Sequence, residues 1–255
     1  MKTVLVIGIG AGDPDHVTAE AARALNRADV FFMFDKGADA ADLVALRRLV
    51  LDRWVDRPDS RVVVAPDPPR DLGGPSYGAD VAGWHDQRAA LYERLVADEL
   101  ADGGTGAILV WGDPALYDST LRILDRVAAR GAVAFAVEVV PGISSIQVLA
   151  ARHRIALHGV GRPVHVTTGR RLREGWPDGV DDVVVMLDGG CAFTTVDPAG
   201  VTIWWGAYLG TPDEILLSGP LAEVGPEIER VRAEARARKG WMFDTYLLRR
   251  GDGGA

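Results

Sequence analysis

A short β-branched run, Thr3 to Ile9, ends among Gly8, Gly10 and Gly12, and Val17, Ala21, Ala24, Leu25 and Ala28 then recur at helical intervals behind Thr18, a cap residue. A second apolar run, Val30 to Phe34, follows. Strand, glycine turn, helix and strand in this order make a βαβ unit, whose strands must lie parallel because a crossover helix returns the chain to the same end of the sheet. A parallel sheet buries both faces, so this opening predicts an α/β protein with helices layered on a sheet.

The alternation continues along the chain. A helix is expected over Ala41 to Trp54, a strand over Arg61 to Ala65, a long proline- and glycine-rich loop over Pro66 to Gly83, a helix over Ala89 to Leu100 and a buried strand over Gly106 to Trp111. The break at Gly112 to Pro114 predicts a domain boundary, with an N-terminal α/β domain over 1–113, a C-terminal α/β domain over 114–250 and a frayed tail over 251–255. In the second half, helices are expected at Ser119 to Ala129, Ser144 to Ala151 and Pro226 to Lys239, the last with its charges mostly in solvent. Strands are expected at Val133 to Val140, Pro163 to Thr168, Asp182 to Leu187, Val201 to Gly206 and Phe243 to Leu248.

Composition narrows the partners. A net charge of −8 over 255 residues gives no basic surface for nucleic acid or anionic membrane, and no apolar run is long enough to span a bilayer. The single Cys191 rules out an internal disulfide and cannot supply the paired thiolates of a structural zinc site, so no metal is expected and a cytoplasmic location fits.

Three constellations carry candidate chemistry. Gly8, Gly10 and Gly12 let backbone approach a ligand where a strand meets a helix. Trp111-Gly112-Asp113-Pro114 ends one strand, and Val139-Val140-Pro141-Gly142-Ile143-Ser144-Ser145 ends another and opens a helix, offering small residues and hydroxyls. Strand carboxyl ends are where open α/β sheets present ligands with backbone. One alternative is a nicotinamide-dependent oxidoreductase built on the glycines, with Asp35 as the ribose carboxylate. The third glycine is misplaced for that fingerprint, and Asp13 beside a pyrophosphate would repel it.

Taken in order and spacing, the three constellations resemble the tetrapyrrole methylase family. Gly8 to Pro14 is similar to its Gly-x-Gly-x-Gly-Asp-Pro loop, and Ala28-Asp29-Val30 to its Ala-Asp-Val strand. Gly112-Asp113-Pro114 and Pro141 to Ser145 match its next two motifs, Val183 to Met186 resembles its apolar strand ending in methionine, and Leu209 to Glu214 its Thr-Pro-Asp-Glu turn. Trp111 stands where the family usually has glycine, and Ala11 where a proline is common.

The resemblance implies two layered α/β domains with a cofactor cleft between them, a homodimer, and S-adenosylmethionine as methyl donor to a corrin precursor in cobalamin biosynthesis. Carried over by motif, the cofactor-binding positions are Ala11, Trp111, Gly112, Asp113, Leu116, Ser144, Ser145, Met186 and Leu209. Phe34 to Gly37, Asp80 to Arg88 with Trp84-His85, and Trp204 to Leu217 look like the member that methylates C1 of precorrin-5 and releases acetate. Acetate release needs a base and a hydrogen-bond donor, for which Asp35, His85 and Tyr77 are the candidates. The substrate is a polycarboxylate tetrapyrrole, and among the arginines and histidines between Arg152 and Arg173, Arg170 and Arg171 are expected to hold its carboxylates. Another methylation step of the same family, or a noncatalytic relative, are the remaining alternatives.

Overall fold

The computed structural model describes residues 1–35, 41–69 and 77–251, with side chains at 1–35, 43–69 and 81–251. The chain divides into two compact units, Met1–Ser144 and Ser145–Ala255. Among the described residues no helix is long and apolar enough to cross a membrane.

The first unit runs β1 (Lys2–Gly8), α1 (Ala19–Leu25), β2 (Val30–Asp35), α2 (Ala41–Trp54), β3 (Arg61–Pro66), α3 (Tyr77–Glu99), β4 (Thr105–Val110), α4 (Thr120–Arg130) and β5 (Phe135–Val140). Thr18 caps α1 as expected, its hydroxyl accepting from the Ala21 amide at 3.0 Å. All five strands are parallel, in the order β3-β2-β4-β1-β5. The middle of β1 is buried on both faces. Leu5 and Ile7 pack with residues of α1 and α2, while Val4 and Val6 pack with residues of α3 and α4. Each such side chain stabilises the fold by about 1.5–3 kcal/mol.

The second unit runs α5 (Ser145–His153), β6 (Val164–Thr168), α6 (Gly169–Leu172), β7 (Asp182–Met186), β8 (Val201–Ala207), β9 (Ile215–Pro220), α7 (Leu221–Lys239) and β10 (Asp244–Arg250). Its sheet is mixed, ordered β6-β7-β10-β8-β9, with only β6 and β7 parallel. Leu221, Ile228 and Ala235, spaced two helical turns apart, bring α7 onto a core built around Trp205, Tyr246 and Phe193.

Several expectations shift. The units part after Ser144 and not after Asp113, because β5 pairs with β1 from Lys2↔Phe135 to Ile7↔Val140 and carries the segment after Asp113 into the first sheet. The loop expected to reach Gly83 gives way to helix at Tyr77, where Trp84 donates to the Pro68 carbonyl at 3.0 Å and tertiary packing supports turns that local composition disfavours. Helix α7 starts five residues before Pro226, which therefore sits inside it. Its charges mostly face solvent as expected, with Arg232 buried. Strand β9, absent from the sequence reading, is an edge strand whose exposed positions interrupt the apolar pattern. Residues 252–255 of the expected tail lie outside the described residues.

Candidate cofactor and substrate site

In the first unit the carboxyl ends of β1, β4 and β5 meet through glycine backbone. A Cβ on Gly8 would stand 2.6 Å from the Gly142 amide nitrogen, and one on Gly142 would overlap the Gly112 carbonyl oxygen and stand 2.8 Å from Gly8 Cα. Gly10 and Gly112 form an antiparallel bridge, with amide-to-carbonyl distances of 3.4 and 2.8 Å. Gly112 holds φ 68°, a left-handed conformation that side chains disfavour. The three motifs read from the sequence therefore form one layer of bare backbone at the sheet edge.

Asp113 locks that layer. Its Oδ2 accepts from the Gly142 amide at 2.9 Å and its Oδ1 from the Ala115 amide at 2.7 Å, joining the turn after β4 to the segment after β5. The Leu116 amide donates to the Asp113 carbonyl at 3.1 Å. Ala11 and Ser144 are buried in the same region, while Trp111 and Leu116 are half-buried. Tyr117 follows with φ 51°, and strain of about 1–3 kcal/mol in a non-glycine residue gathers at ligand-handling segments.

The second unit assembles its own group of candidates. Ser145 Oγ lies 2.8 Å from Thr245 Oγ1, and Thr245 is the β10 residue paired with Met186. Met186 is half-buried at the end of β7, followed by the exposed Leu187 at φ 52°. Leu209 is buried instead of presented, its side chain filling the space that glycine leaves at Gly206 beside Leu149. Beneath the β7 end lies a polar network that the sequence did not announce. Asp188, buried, accepts from the Tyr246 hydroxyl at 2.7 Å and the Gly190 amide at 3.0 Å. Asp244 Oδ2 accepts from Arg232 Nε at 2.8 Å and Trp205 Nε1 at 3.0 Å. Burial pushes the Tyr246 hydroxyl pKa far up, with the neighbouring Asp188 adding to it, so it remains a neutral donor.

The proton-handling candidates fall at the β2 end of the first unit. Asp35 is exposed as the last residue of β2, and its carbonyl accepts from the Asp67 amide at 2.8 Å. His85 is half-buried on α3, its ring 5.4 Å from that of Trp84. Tyr77 begins α3, and its side chain lies outside the described residues. Sequence reasoning missed what joins these elements. Arg88, on α3, is buried among the rings of Phe34, Trp84 and Tyr92, with its guanidinium carbon 4.7–5.3 Å from their centroids, and pairs with buried Asp67 at 2.8 Å. The helical spacing of Trp84, Arg88 and Tyr92 was a signal, although only the fold shows that Phe34 completes the box.

The arginine run of the second unit is largely engaged internally. Arg152 pairs with Glu214, Arg162 with Asp181, and Arg173 with Asp188. Arg170 and Arg171 are exposed, and Arg171 has Glu174 as its own carboxylate partner. They start the short helix α6, where Thr168 is the cap residue.

The topology also decides against the dinucleotide alternative. In that fold β2 lies beside β1, which lets its terminal carboxylate reach the ribose, whereas here β4 is inserted between them. What remains is an α/β protein that offers bare backbone at strand ends to a small polar molecule.

The comparisons make that class specific. Residues 3–225 match the profile of the Tetrapyrrole (Corrin/Porphyrin) Methylases, and the chain belongs to this family. It is 54% identical over 251 residues, 98% of this chain and 96% of the relative, to a precorrin-6A synthase [deacetylating] from Sinorhizobium sp. A precorrin-2 C(20)-methyltransferase, also from Sinorhizobium sp, is 33% identical over 55% of this chain and 53% of its own length. Among solved structures, a cobalamin-synthesis-related protein from Corynebacterium diphtheriae superimposes with a TM-score of 0.86 at 37% identity, covering 99% of this chain and 100% of its own. A uroporphyrin-III C-methyltransferase from Thermus thermophilus, complexed with S-adenyl homocysteine, shares the fold with a TM-score of 0.58 at 21% identity, over 96% of this chain and 91% of its own.

Proposed function

We propose that this chain methylates C1 of precorrin-5 from S-adenosylmethionine, with loss of acetate, to give precorrin-6A. The observation that carries the reading is the 54% identity, over nearly the whole chain, to a precorrin-6A synthase [deacetylating].

The residues fit the donor. Gly8 and Gly142, where a Cβ would meet backbone, let the strand-end loops pack backbone to backbone, and this bare layer at the strand ends offers amides and carbonyls to an adenosine-bearing ligand. Trp111, Gly112, Asp113, Leu116, Ser144 and Ala11 would hold it, and Ser145 and Met186 are further candidates. When bound, S-adenosylmethionine supplies an activated methyl group on a sulfonium, so no protein nucleophile is required. The task of the chain is to align the ring carbon and keep water away. Asp113 contributes by holding two loops in register.

Acetate release asks more of the protein, because water must add to an acyl carbon. Asp35 and His85 serve as proton-handling groups and Tyr77 as a donor to the developing oxyanion. Arg88 supports this set by pinning α3, which carries His85, against Phe34, the neighbour of Asp35. Arg170 and Arg171 hold substrate carboxylates, and unchanged substrate affinity in both Arg170→Ala and Arg171→Ala would remove that assignment. The enzyme works as a homodimer in the cytoplasm, where a lone cysteine needs no partner.

The deciding experiment is anaerobic incubation with enzymatically generated precorrin-5 and methyl-labelled S-adenosylmethionine. Labelled precorrin-6A together with free acetate is the expected result. Labelled methyl without acetate would move the enzyme to another step of the family, and no transfer despite cofactor binding would overturn the reading.

A further inference from the structure

Strand β2 pairs with β4 only from Val30↔Gly106 to Phe32↔Ile108, after which Met33, Phe34 and Asp35 continue with β3 alone. The two central strands therefore part at their carboxyl ends. Residues of α2 pack on one face of the sheet and residues of α3 and α4 on the other, and such a divergence is where open α/β sheets form a crevice. Leu109, one residue past the last β2–β4 pair, would leave its carbonyl without a ladder partner on that side. Arg47 of α2 reaches it, with Nε 3.3 Å from the oxygen, and places Nη1 3.0 Å from the Leu43 carbonyl.

Those two bonds use two of the five guanidinium donors. Among the described residues, no carboxylate lies within ion-pair distance of Arg47. The neighbouring acids act on it only from beyond ion-pair distance: Asp67 pairs with Arg88, and Asp118 Oδ1 accepts from the Thr120 amide at 2.6 Å at the start of α4. Arg47 keeps solvent-accessible surface, yet protein surrounds its charge closely enough that burial, first among the causes, lowers its pKa. A half-buried guanidinium beside the strand divergence keeps N–H donors within reach of a ligand. Tyr92 is its neighbour, with a buried hydroxyl that faces Thr120 and that burial keeps protonated. Arg47 thus keeps unused N–H donors at the divergence, and the missing group is an anion with planar acceptors.

We propose that the parting of β2 and β4 is a binding site for one carboxylate of the tetrapyrrole substrate, with Arg47 as its ligand. The site rests on the polycarboxylate substrate of the proposed function and adds a contact that the exposed Arg170 and Arg171 do not supply. A carboxylate held there lies beside Asp35, which ends β2, so this site would fix the substrate's orientation towards the proton-handling groups.

The test uses the full chain, with wild-type turnover of precorrin-5 measured first. Arg47→Gln is expected to raise the KM for precorrin-5 by about 10- to 100-fold, the value of a charge-assisted hydrogen bond, while the dissociation constant for S-adenosylmethionine stays within about twofold. Arg47→Lys, which retains charge but loses the planar fork, should fall between the two. An unchanged KM in Arg47→Gln overturns the site. So does a KM that rises only in step with lost cofactor affinity and melting temperature in both variants, because that pattern marks a staple between α2 and β4. Absence of wild-type turnover would remove the proposed function itself, and this site with it.

Discussion

Replacing Asp113 by asparagine tests the glycine layer through the residue that closes it. The carboxylate accepts two amides at once, Gly142 at 2.9 Å and Ala115 at 2.7 Å. An asparagine keeps one carbonyl oxygen for Ala115 and turns its amino group towards the Gly142 N–H, placing donor against donor. One hydrogen bond to a charged acceptor is lost, worth about 1.5–3 kcal/mol, and the half-buried setting of Asp113 puts the loss near the lower end, about 1.5–2 kcal/mol. For a chain of this size each kcal/mol moves the melting temperature by about 2–4 °C, so a fall of about 3–8 °C is expected by calorimetry. The affinity for S-adenosylmethionine should weaken by about tenfold, since ordering the freed loops on binding would cost about 1.4 kcal/mol. A melting temperature within about 1 °C of wild type, with cofactor affinity retained, would show that Asp113 does not join the two loops.

Other outcomes follow from the same geometry. In Gly142→Ala the new methyl overlaps backbone at Gly112 and Gly8, which cannot rotate away, so cofactor binding should be lost by titration calorimetry; wild-type affinity would refute the role of the backbone layer. Arg232→Met leaves the buried Asp244 carboxylate with only the Trp205 indole, and chemical denaturation should register a loss of about 3–5 kcal/mol, a change below about 1 kcal/mol counting against the network. Burial, the leading cause, raises the Cys191 thiol pKa, so less of it is thiolate at neutral pH than in free cysteine. Iodoacetamide should therefore alkylate Cys191 in the native protein more slowly than free cysteine at pH 7.5, and faster labelling would contradict its environment.

Much of the first unit was legible because its signals are local. The apolar period of β1, the Thr18 cap and the glycines after each strand report on neighbours within a few residues, and the motif order carries the family. Helix α3 was read too short because Tyr77 to Gly83 has turn-like composition and becomes helical with long-range support such as the Trp84 bond to the Pro68 carbonyl. The unit boundary was misplaced at Asp113 for a related reason: a Gly-Asp-Pro break looks the same at a domain junction and at a crossover within a sheet, and only the β1–β5 pairing distinguishes them.

The candidate site divides in the same way. Sequence alone determined which residues are small enough to bring backbone together, the glycines at positions 8, 112 and 142, and it determined that the strands of the opening unit run parallel. Only the tertiary structure decided that β4 lies between β1 and β2, which separates Asp35 from the glycine turn and removes the dinucleotide reading. It also decided that Asp113 clamps the Gly142 loop, that Leu209 fills core, and that Arg47 stands without a carboxylate partner among the described residues while Arg88 has Asp67. The physical reason is range. A turn, a cap or a helical stripe is encoded by adjacent side chains, whereas desolvation and ion pairing depend on groups that meet only after strand order is set, and the sequence does not state that order.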